Sequence, residues 1–90
     1  MPKITIPVSL LPLTGQQNKL VIPGKTLIDV IINIVEQYPG IKDYFLDRND
    51  HLATFVNFYI NDKDARYLQH ENTVMNDTDE VHIIVAMSGG

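Results

Sequence analysis

The sequence predicts an α+β fold, in which a mixed sheet of four to five strands carries one main helix packed on one face. Residues 26–38 have the helical spacing of apolar side chains, and short stretches with strand-like alternation lie on both sides of them. The elements follow the order β-β-α-β-(β)-β, beginning with a hairpin, and this order is typical of a sheet covered by a helix on one face. Ninety residues suffice for one small domain with a single core.

The N-terminal stretch predicts a β-hairpin. Apolar side chains recur at every second position from residue 4 to residue 10, which is the period of a strand; they are Ile4, Ile6, Val8 and Leu10. Pro7 places this strand at an edge or a bulge, because proline has no N–H to donate. Residues 11–18 indicate a turn, and residues 19–23 a second short strand that returns beside the first.

Residues 26–38 predict the main helix. Thr26 followed by Asp29 resembles a capping box, with aspartate in place of the usual glutamate. The apolar side chains that share one helical face are Leu27, Val30, Ile31, Ile34, Val35 and Tyr38. Pro39 and Gly40 end the helix. Because β-branched side chains lower helix propensity, we expect packing on the sheet to stabilise this helix.

The C-terminal half predicts the remaining strands. Residues 41–47 indicate a helical turn, and residues 55–60 a third strand that ends in a turn at Asn61–Asp62. We predict a short edge strand at residues 65–69 and the last strand at residues 81–87. We expect the first and last strands to lie side by side in the middle of the sheet.

The alternation also assigns side chains to the two faces of the sheet. The side chains expected to face the helix are Ile4, Ile6, Val8, Val56, Phe58, Ile60, Val81, Ile83 and Val85. Asn57, Tyr59, His82 and Ile84 are expected on the opposite, open face. Ile84 is an apolar side chain on that face near the end of the chain, so the surface around it is a candidate partner surface.

Composition argues against several classes of function. The chain has no cysteine, which removes disulfides, thiolate nucleophiles, cysteine-ligated zinc and iron–sulfur clusters. The formal net charge is −4, and an acidic chain repels phosphate, so we expect no nucleic-acid partner. No apolar run approaches the ~20 residues of a membrane span. Since the N-terminus also lacks a signal-peptide pattern, we expect no membrane association and a cytoplasmic location.

Residues that carry enzyme chemistry do not form a recognisable site. His51, His70 and His82 lack the spacing of metal ligands, and neither Ser9 nor Ser88 lies in a nucleophile-elbow pattern. The neighbouring carboxylates lie in predicted turns, where capping and solvated side chains are the usual roles. We therefore expect a chain that is not an enzyme and that binds no cofactor or metal itself.

The sequence ends in "SGG", after a last strand whose side chains carry no formal charge. Glycine lacks Cβ, so such an end can thread through a channel too narrow for side chains. The terminal carboxylate is ionised at neutral pH and is a poor electrophile, so it reacts only after activation, for instance as an acyl adenylate. These features predict a domain at residues 1–86, a flexible tail at residues 87–90, and a carrier whose reactive group is the carboxylate of Gly90. A frayed, inert end is the alternative interpretation.

Three stretches of the sequence resemble one family. They are "ITIPVSLLPLTG" (4–15), "FVNFYINDKDARYL" (55–68) and "DTDEVHIIVAMSGG" (77–90). With the order of elements, they resemble the ubiquitin-like β-grasp sulfur carriers, which include the small subunit of molybdopterin synthase and the thiamine-pathway carrier. The resemblance is closest to the sulfur carriers of cysteine biosynthesis, and the molybdopterin branch is the alternative. It implies a ubiquitin-like β-grasp fold over nearly the whole chain.

The resemblance implies chemistry that takes place on partner proteins. An ATP-dependent adenylating enzyme of the ubiquitin-activating type would adenylate Gly90, and a sulfur donor would displace AMP to leave a thiocarboxylate. In the cysteine branch, a cysteine synthase that holds pyridoxal phosphate would accept the sulfur, and a metal-dependent peptidase would release the product. In the molybdopterin branch, the large subunit of molybdopterin synthase would be the partner. ATP, zinc and pyridoxal phosphate are therefore expected on partners.

This mechanism assigns roles to residues near the end of the chain. Gly90 is the expected acyl site. The residues expected to contact partners are Gly89, Ser88, Met87, Ile84 and Tyr59, the first three in a channel and the last two in a docking face. Two further interpretations stay open: a ubiquitin-like protein modifier joined to lysines, and a β-grasp interaction module with an inert terminus.

Overall fold

The structure is a computed structural model that describes residues 1–85. The strands are β1 (Lys3–Thr5), β2 (Lys19–Val21), β3 (Val56–Ile60), β4 (Lys63–Asp64) and β5 (Glu80–Val85), and the helices are α1 (Leu27–Gln37) and α2 (Lys42–Phe45). Short 3₁₀ segments cover Val8–Thr14, Pro39–Ile41, Ala65–Tyr67 and His70–Asn72. Among residues 1–85, no helix is long and apolar enough to cross a bilayer.

The five strands form one mixed sheet in the order β2-β1-β5-β3-β4. β5 lies at the centre, with β1 as its parallel neighbour and β3 as its antiparallel neighbour. The register places Ile4 opposite Val81 and Phe58 opposite Ile83, and all four side chains are buried in the same core as α1. The predicted mixed sheet, with the first and last strands adjacent, is confirmed.

Helix α1 begins at the predicted capping box. The Asp29 backbone N–H donates to Thr26 Oγ1 at 3.4 Å, and the Thr26 N–H donates to Asp29 Oδ2 at 3.3 Å. Together these bonds satisfy two backbone donors at the helix start. The fully buried side chains of the helix are Leu27, Val30, Ile31 and Ile34. The predicted apolar face is therefore the face that packs on the sheet.

The first hairpin departs from the prediction after Thr5. The regular strand stops there, and a 3₁₀ segment runs from Val8 to Thr14. Pro7 explains the change, because proline has no N–H to donate to a sheet ladder. The Pro7 carbonyl accepts from the Leu10 N–H at 2.9 Å, which is a bond of the 3₁₀ segment. Val8 was expected to face the helix and this is wrong, since it is 81% exposed. The other side chains assigned to that face are buried or half-buried.

The second half of the sheet differs from the prediction in one strand. The turn at Asn61–Asp62 is confirmed, and both residues have positive φ, 49° and 71°, which suits a tight two-residue hairpin turn. Such a turn returns the chain at once, so the edge strand is β4 and not residues 65–69. Ala65–Tyr67 forms a 3₁₀ turn capped by Asp64, whose Oδ1 accepts from the Arg66 backbone N–H at 2.9 Å.

Asp79 connects the β3–β4 turn to the start of β5. Its buried carboxylate accepts from Asn61 Nδ2 at 2.8 Å and from the Asn76 backbone N–H at 2.7 Å. Asn61 Oδ1 in turn accepts from the Glu80 N–H at 3.1 Å. Each polar group of this small network has a partner, as buried polar groups require. The prediction that turn carboxylates cap backbone groups is thus confirmed for Asp64 and Asp79.

Gly24 packs directly beneath the first turn of α1. A Cβ at this position would lie 2.5 Å from Val30 Cγ2 and 2.7 Å from the Val30 backbone nitrogen. We therefore expect Gly24→Ala to lower the free energy of unfolding by about 1–3 kcal/mol, the usual cost of overpacking. Urea denaturation measures the change. Gly40→Ala is the matched control, because its nearest neighbour would be Leu13 Cδ2 at an ordinary 3.6 Å; equal effects of the two substitutions would contradict the prediction.

Candidate functional site

The open face of the sheet, on the side away from α1, is the candidate site. Its side chains are Lys3, Thr5, Lys19, Val21, Asn57, Tyr59, Asp64, Glu80, His82 and Ile84. Cross-strand partners place Tyr59 opposite His82 and Asn57 opposite Ile84. Residues directly opposite each other share a face. Tyr59 and Ile84 therefore lie on the same exposed face, as predicted.

Exposed apolar side chains gather at the end of the sheet where β5 stops. Ile84 is 50% exposed on β5. Phe55, 43% exposed, directly precedes the pair Val56–Val85. Val8, 81% exposed, follows β1, which runs parallel to β5 and so leads to the same end. Such a concentration of exposed apolar groups is typical of a surface that binds a partner.

Arg66 lies beside this surface and is held by two side chains. Its Nε and Nη2 donate to the Asp64 carboxylate at 3.3 and 2.9 Å, and Nη2 also donates to Asn57 Oδ1 at 2.6 Å. These hydrogen bonds to Asp64, and then charge attraction, raise the pKa of the Arg66 guanidinium. The hydrogen bonds from the Arg66 side chain, and after them the bond from the Arg66 backbone N–H, lower the pKa of the Asp64 carboxyl.

Sequence reasoning missed three residues of this region. Val8 was assigned to the core because it continues the alternation of β1. Phe55 lies just before a strand, where periodicity assigns no face. Arg66 falls in residues 65–69, the stretch predicted as an edge strand. The sequence pattern of that stretch does not reveal that the Arg66 side chain bonds Asn57. The only local signal for Arg66 was Asp64 two residues earlier.

The remaining predicted site residues lie outside the described part of the chain. Met87, Ser88, Gly89 and Gly90 all follow Val85, the last described residue. Their assignment to a partner's channel and to the acyl site therefore stays a prediction. The last described residues before them, Ile84 and Val85, are paired with Asn57 and Val56.

The residues considered for enzyme chemistry have structural surroundings. His51 Nδ1 bonds the Glu71 carboxylate at 3.0 Å, and this bond is the main reason that the pKa of His51 is raised. His82 lies on the open face, and His70 begins a 3₁₀ turn with φ 51°. Within residues 1–85, no group of three or more histidine, aspartate or glutamate side chains is placed to hold a metal ion.

Comparison with known proteins identifies related chains. The family model described as "ThiS family" matches residues 4–90. The sulfur carrier protein CysO of Mycobacterium tuberculosis is 37% identical over 89 residues, which are 97% of this chain and 96% of that protein. CysO of Mycobacterium bovis matches equally well.

Solved structures agree with the fold. The M. tuberculosis CysO crystal structure has a TM-score of 0.86 at 35% identity, covering 97% of this chain and all of that one. The structure of the Amycolatopsis orientalis BexX/CysO complex gives 0.90 at 28% identity, with both chains covered completely. The small archaeal modifier protein 1 of Methanosarcina acetivorans gives 0.88 at 27% identity, covering 99% and 95%.

These similarities confirm the ubiquitin-like β-grasp fold that the resemblance implied. They also confirm the prediction that the chain is of a carrier type and is not an enzyme, because the family and its named members are small carrier proteins. The match covers nearly the whole sequence, including the last strand and the residues after it. The chain therefore belongs to the ThiS family.

Proposed function

We propose that this chain is a sulfur carrier whose terminal residue, Gly90, is activated as an acyl adenylate and converted to a thiocarboxylate. The sulfur of this thiocarboxylate is proposed to be used in cysteine biosynthesis. The observation that carries the proposal is the family match to residues 4–90, which extends through Gly89 and Gly90. The 37% identity to the sulfur carrier protein CysO, over 97% of the chain, supports the cysteine branch.

The proposed chemistry begins at the terminal carboxylate. An ionised carboxylate resists attack by a nucleophile. Its oxygen would attack the α-phosphorus of ATP and release pyrophosphate, which gives a mixed anhydride with AMP. A sulfur nucleophile would then add to the carbonyl carbon and expel AMP, so that one carboxylate oxygen leaves with the phosphate. ATP and any zinc belong to the adenylating enzyme, and this chain supplies only the acyl group. The cytoplasm, expected from the sequence, is the compartment proposed for these steps.

Docking is proposed to occur through the open face. A partner that takes residues 87–90 into a channel comes close to Val85, two residues earlier in the sequence, and so to the end of β5. Ile84 and Tyr59 lie on that face, and Val8 and Phe55 add apolar surface at the same end. Burial of these side chains is the favourable term expected for association. The CysO relative of A. orientalis is described in complex with BexX, which supports a carrier that docks on a partner.

The acceptor is proposed from the resemblance to the sulfur carriers of cysteine biosynthesis. A cysteine synthase that holds pyridoxal phosphate would receive the thiocarboxylate sulfur, and a metal-dependent peptidase would then release the cysteine from Gly90. The large subunit of molybdopterin synthase is the alternative acceptor. The two differ in the product on the chain: only the cysteine branch leaves a cysteinyl residue attached to Gly90, and the intact mass of the chain reports it.

Protein modification is a second candidate function. The small archaeal modifier protein 1 of M. acetivorans, whose name describes a modifier, superposes with a TM-score of 0.88. A modifier uses the same activated terminus but transfers it to amines, so it leaves isopeptide-linked adducts on other proteins. Adducts on lysines of cell proteins, with no sulfur-bearing terminus, would favour this function over sulfur transfer.

The proposed function is tested by the exchange of pyrophosphate into ATP that accompanies adenylation. An adenylating enzyme active on M. tuberculosis CysO is assayed with this chain and with a variant that lacks Gly89 and Gly90. We expect exchange with the full chain and none with the truncated one. Exchange that is equal for both, or absent for both while CysO supports it, would contradict the proposal and favour an interaction module with an inert terminus.

A further inference from the structure

Arg66 is fixed in position before any partner binds. Three hydrogen bonds from Nε and Nη2 to Asp64 and Asn57 hold the guanidinium plane, and Asp64 is itself fixed because it caps the Arg66 backbone N–H. Free arginine side chains lose much rotamer freedom when they bind. These bonds already restrict Arg66 in the fold, so contacts that it makes with a partner carry a smaller entropic cost.

One edge of the guanidinium remains available for a ligand. Among residues 1–85, no acceptor bonds Nη1, and the Arg66 side chain is 54% exposed. Asn57, which Arg66 touches, is the cross-strand partner of Ile84. Adjacent strands lie about 4.8 Å apart, so the guanidinium lies within about two strand spacings of Ile84. The unbonded Nη1 side of the Arg66 guanidinium and the apolar end of the sheet therefore belong to one surface.

The surroundings of Arg66 have the composition of an interface centre. Tyr59 lies on the open face, and Tyr67, the next residue after Arg66, is 87% exposed. Tyrosine and arginine are enriched among the residues that dominate binding energies. The open face carries Lys3 and Lys19 against Asp64 and Glu80, and Arg66 beside it adds one more positive charge, in a chain whose net charge is −4. This surface is less acidic than the chain as a whole, and the group that complements the unbonded Nη1 of Arg66 is a carboxylate.

The adenylation step needs such recognition more than the later steps do. Every protein chain ends in a carboxylate, so an enzyme that adenylates this one must recognise the carrier by its folded surface. Enzymes that act afterwards meet a sulfur atom that distinguishes the carrier chemically. The surface contacts that determine specificity are therefore expected to act first in the complex with the adenylating enzyme.

We propose, on the basis of the proposed function, that Arg66 is the polar anchor of the open face, and that the adenylating enzyme presents a carboxylate to its Nη1 edge. The carboxylate would accept from the guanidinium while apolar side chains of the enzyme cover Ile84. Arginine suits this role better than lysine, because its planar fork stays bonded to Asp64 and Asn57 while it donates outward. Arg66 acts as a specificity residue and takes no part in the chemistry at Gly90.

The test compares Arg66→Ala and Arg66→Lys with Arg48→Ala in the pyrophosphate-exchange assay, with the enzyme that accepts the wild-type chain. Arg48 is the other arginine of the sequence and lies in the turn after α2, so its removal is a matched loss of charge. We expect Arg66→Ala to raise KM at least about tenfold with kcat unchanged, and Arg66→Lys at least about threefold, because the fork is lost. Arg48→Ala is expected to stay within about twofold. Wild-type KM is also expected to rise more steeply with salt than that of Arg66→Ala.

Several results would overturn the proposal. A KM for Arg66→Ala within twofold of wild type would show that Arg66 does not anchor the enzyme. A wild-type KM for Arg66→Lys would show that a point charge suffices. A loss of kcat alone would place Arg66 in the chemistry and not in docking. Urea unfolding checks each variant, and if Arg66→Ala does not fold, the lysine variant decides. Failure of the wild-type chain itself to support exchange would instead contradict the proposed function, and this proposal with it.

Discussion

Phe58→Ala is expected to lower the free energy of unfolding by about 3–5 kcal/mol, the usual cost of removing a buried aromatic side chain. Phe58 is buried at the middle of β3, opposite Ile83 of the central strand. Its ring packs edge-to-face on Phe45, with centroids 6.1 Å apart and an angle of 74° between the planes. Because a small domain is stable by only about 5–15 kcal/mol, this single change removes much of the total. Urea denaturation measures it.

Phe55→Ala provides the matched control for this prediction. The chemical change is the same and lies three residues earlier, but Phe55 is 43% exposed. We expect it to cost less than about 1 kcal/mol, since exposed side chains contribute little to the core. If the two substitutions proved equally destabilising, the placement of Phe58 in the core and of Phe55 at the exposed end of the sheet would be wrong.

Gly89→Phe is expected to lower kcat/KM for adenylation at least about a hundredfold, the cost of displacing a reacting group by roughly 1 Å. A bulky side chain next to Gly90 would block entry of the terminus into a narrow channel, whereas the core residues, all within residues 4–83, are untouched. The free energy of unfolding is expected to match that of the wild-type chain. Pyrophosphate exchange measures the first effect and urea denaturation the second.

Gly89→Ala is the graded control for this variant. A single methyl group is expected to reduce adenylation much less than phenylalanine does, because the obstruction grows with the volume of the side chain. Full activity of Gly89→Phe would contradict threading of the terminus. Equal losses with alanine and phenylalanine would indicate a requirement for glycine backbone conformations, and would not support a narrow channel.

Local signals predicted much of the fold. Helix α1 followed from the spacing of its apolar side chains and from a capping box that involves only Thr26 and Asp29. The faces of β3 and β5 followed from strict alternation, which is why Tyr59 and Ile84 were assigned correctly to the open face. These features depend on neighbours in sequence, and the period of each element fixes them.

Other features depended on tertiary structure. Val8 continued the alternation of β1, but Pro7 ended the sheet ladder and turned the chain into a 3₁₀ segment. The edge strand β4 starts directly after Asn61 and Asp62, because their positive φ angles reverse the chain within two residues. Composition does not reveal these angles, so the sequence prediction of an edge strand at residues 65–69 came too late in the chain. The position of Arg66 depends on its bond to Asn57, nine residues away in the sequence, which no local pattern indicates. The sheet end that gathers Val8, Phe55 and Ile84 likewise needs the strand order.

The measurement that tests the central claim most directly is the intact mass of the chain, followed by fragmentation, after incubation with an adenylating enzyme, ATP and a sulfide source. The sulfur-carrier function predicts a gain equal to the difference between sulfur and oxygen, located on C-terminal fragments that contain Gly90. A chain that lacks Gly90 should show no such gain. An unchanged mass, under conditions in which M. tuberculosis CysO is converted, or a gain located elsewhere in the sequence, would contradict a carrier that works through its terminal carboxylate.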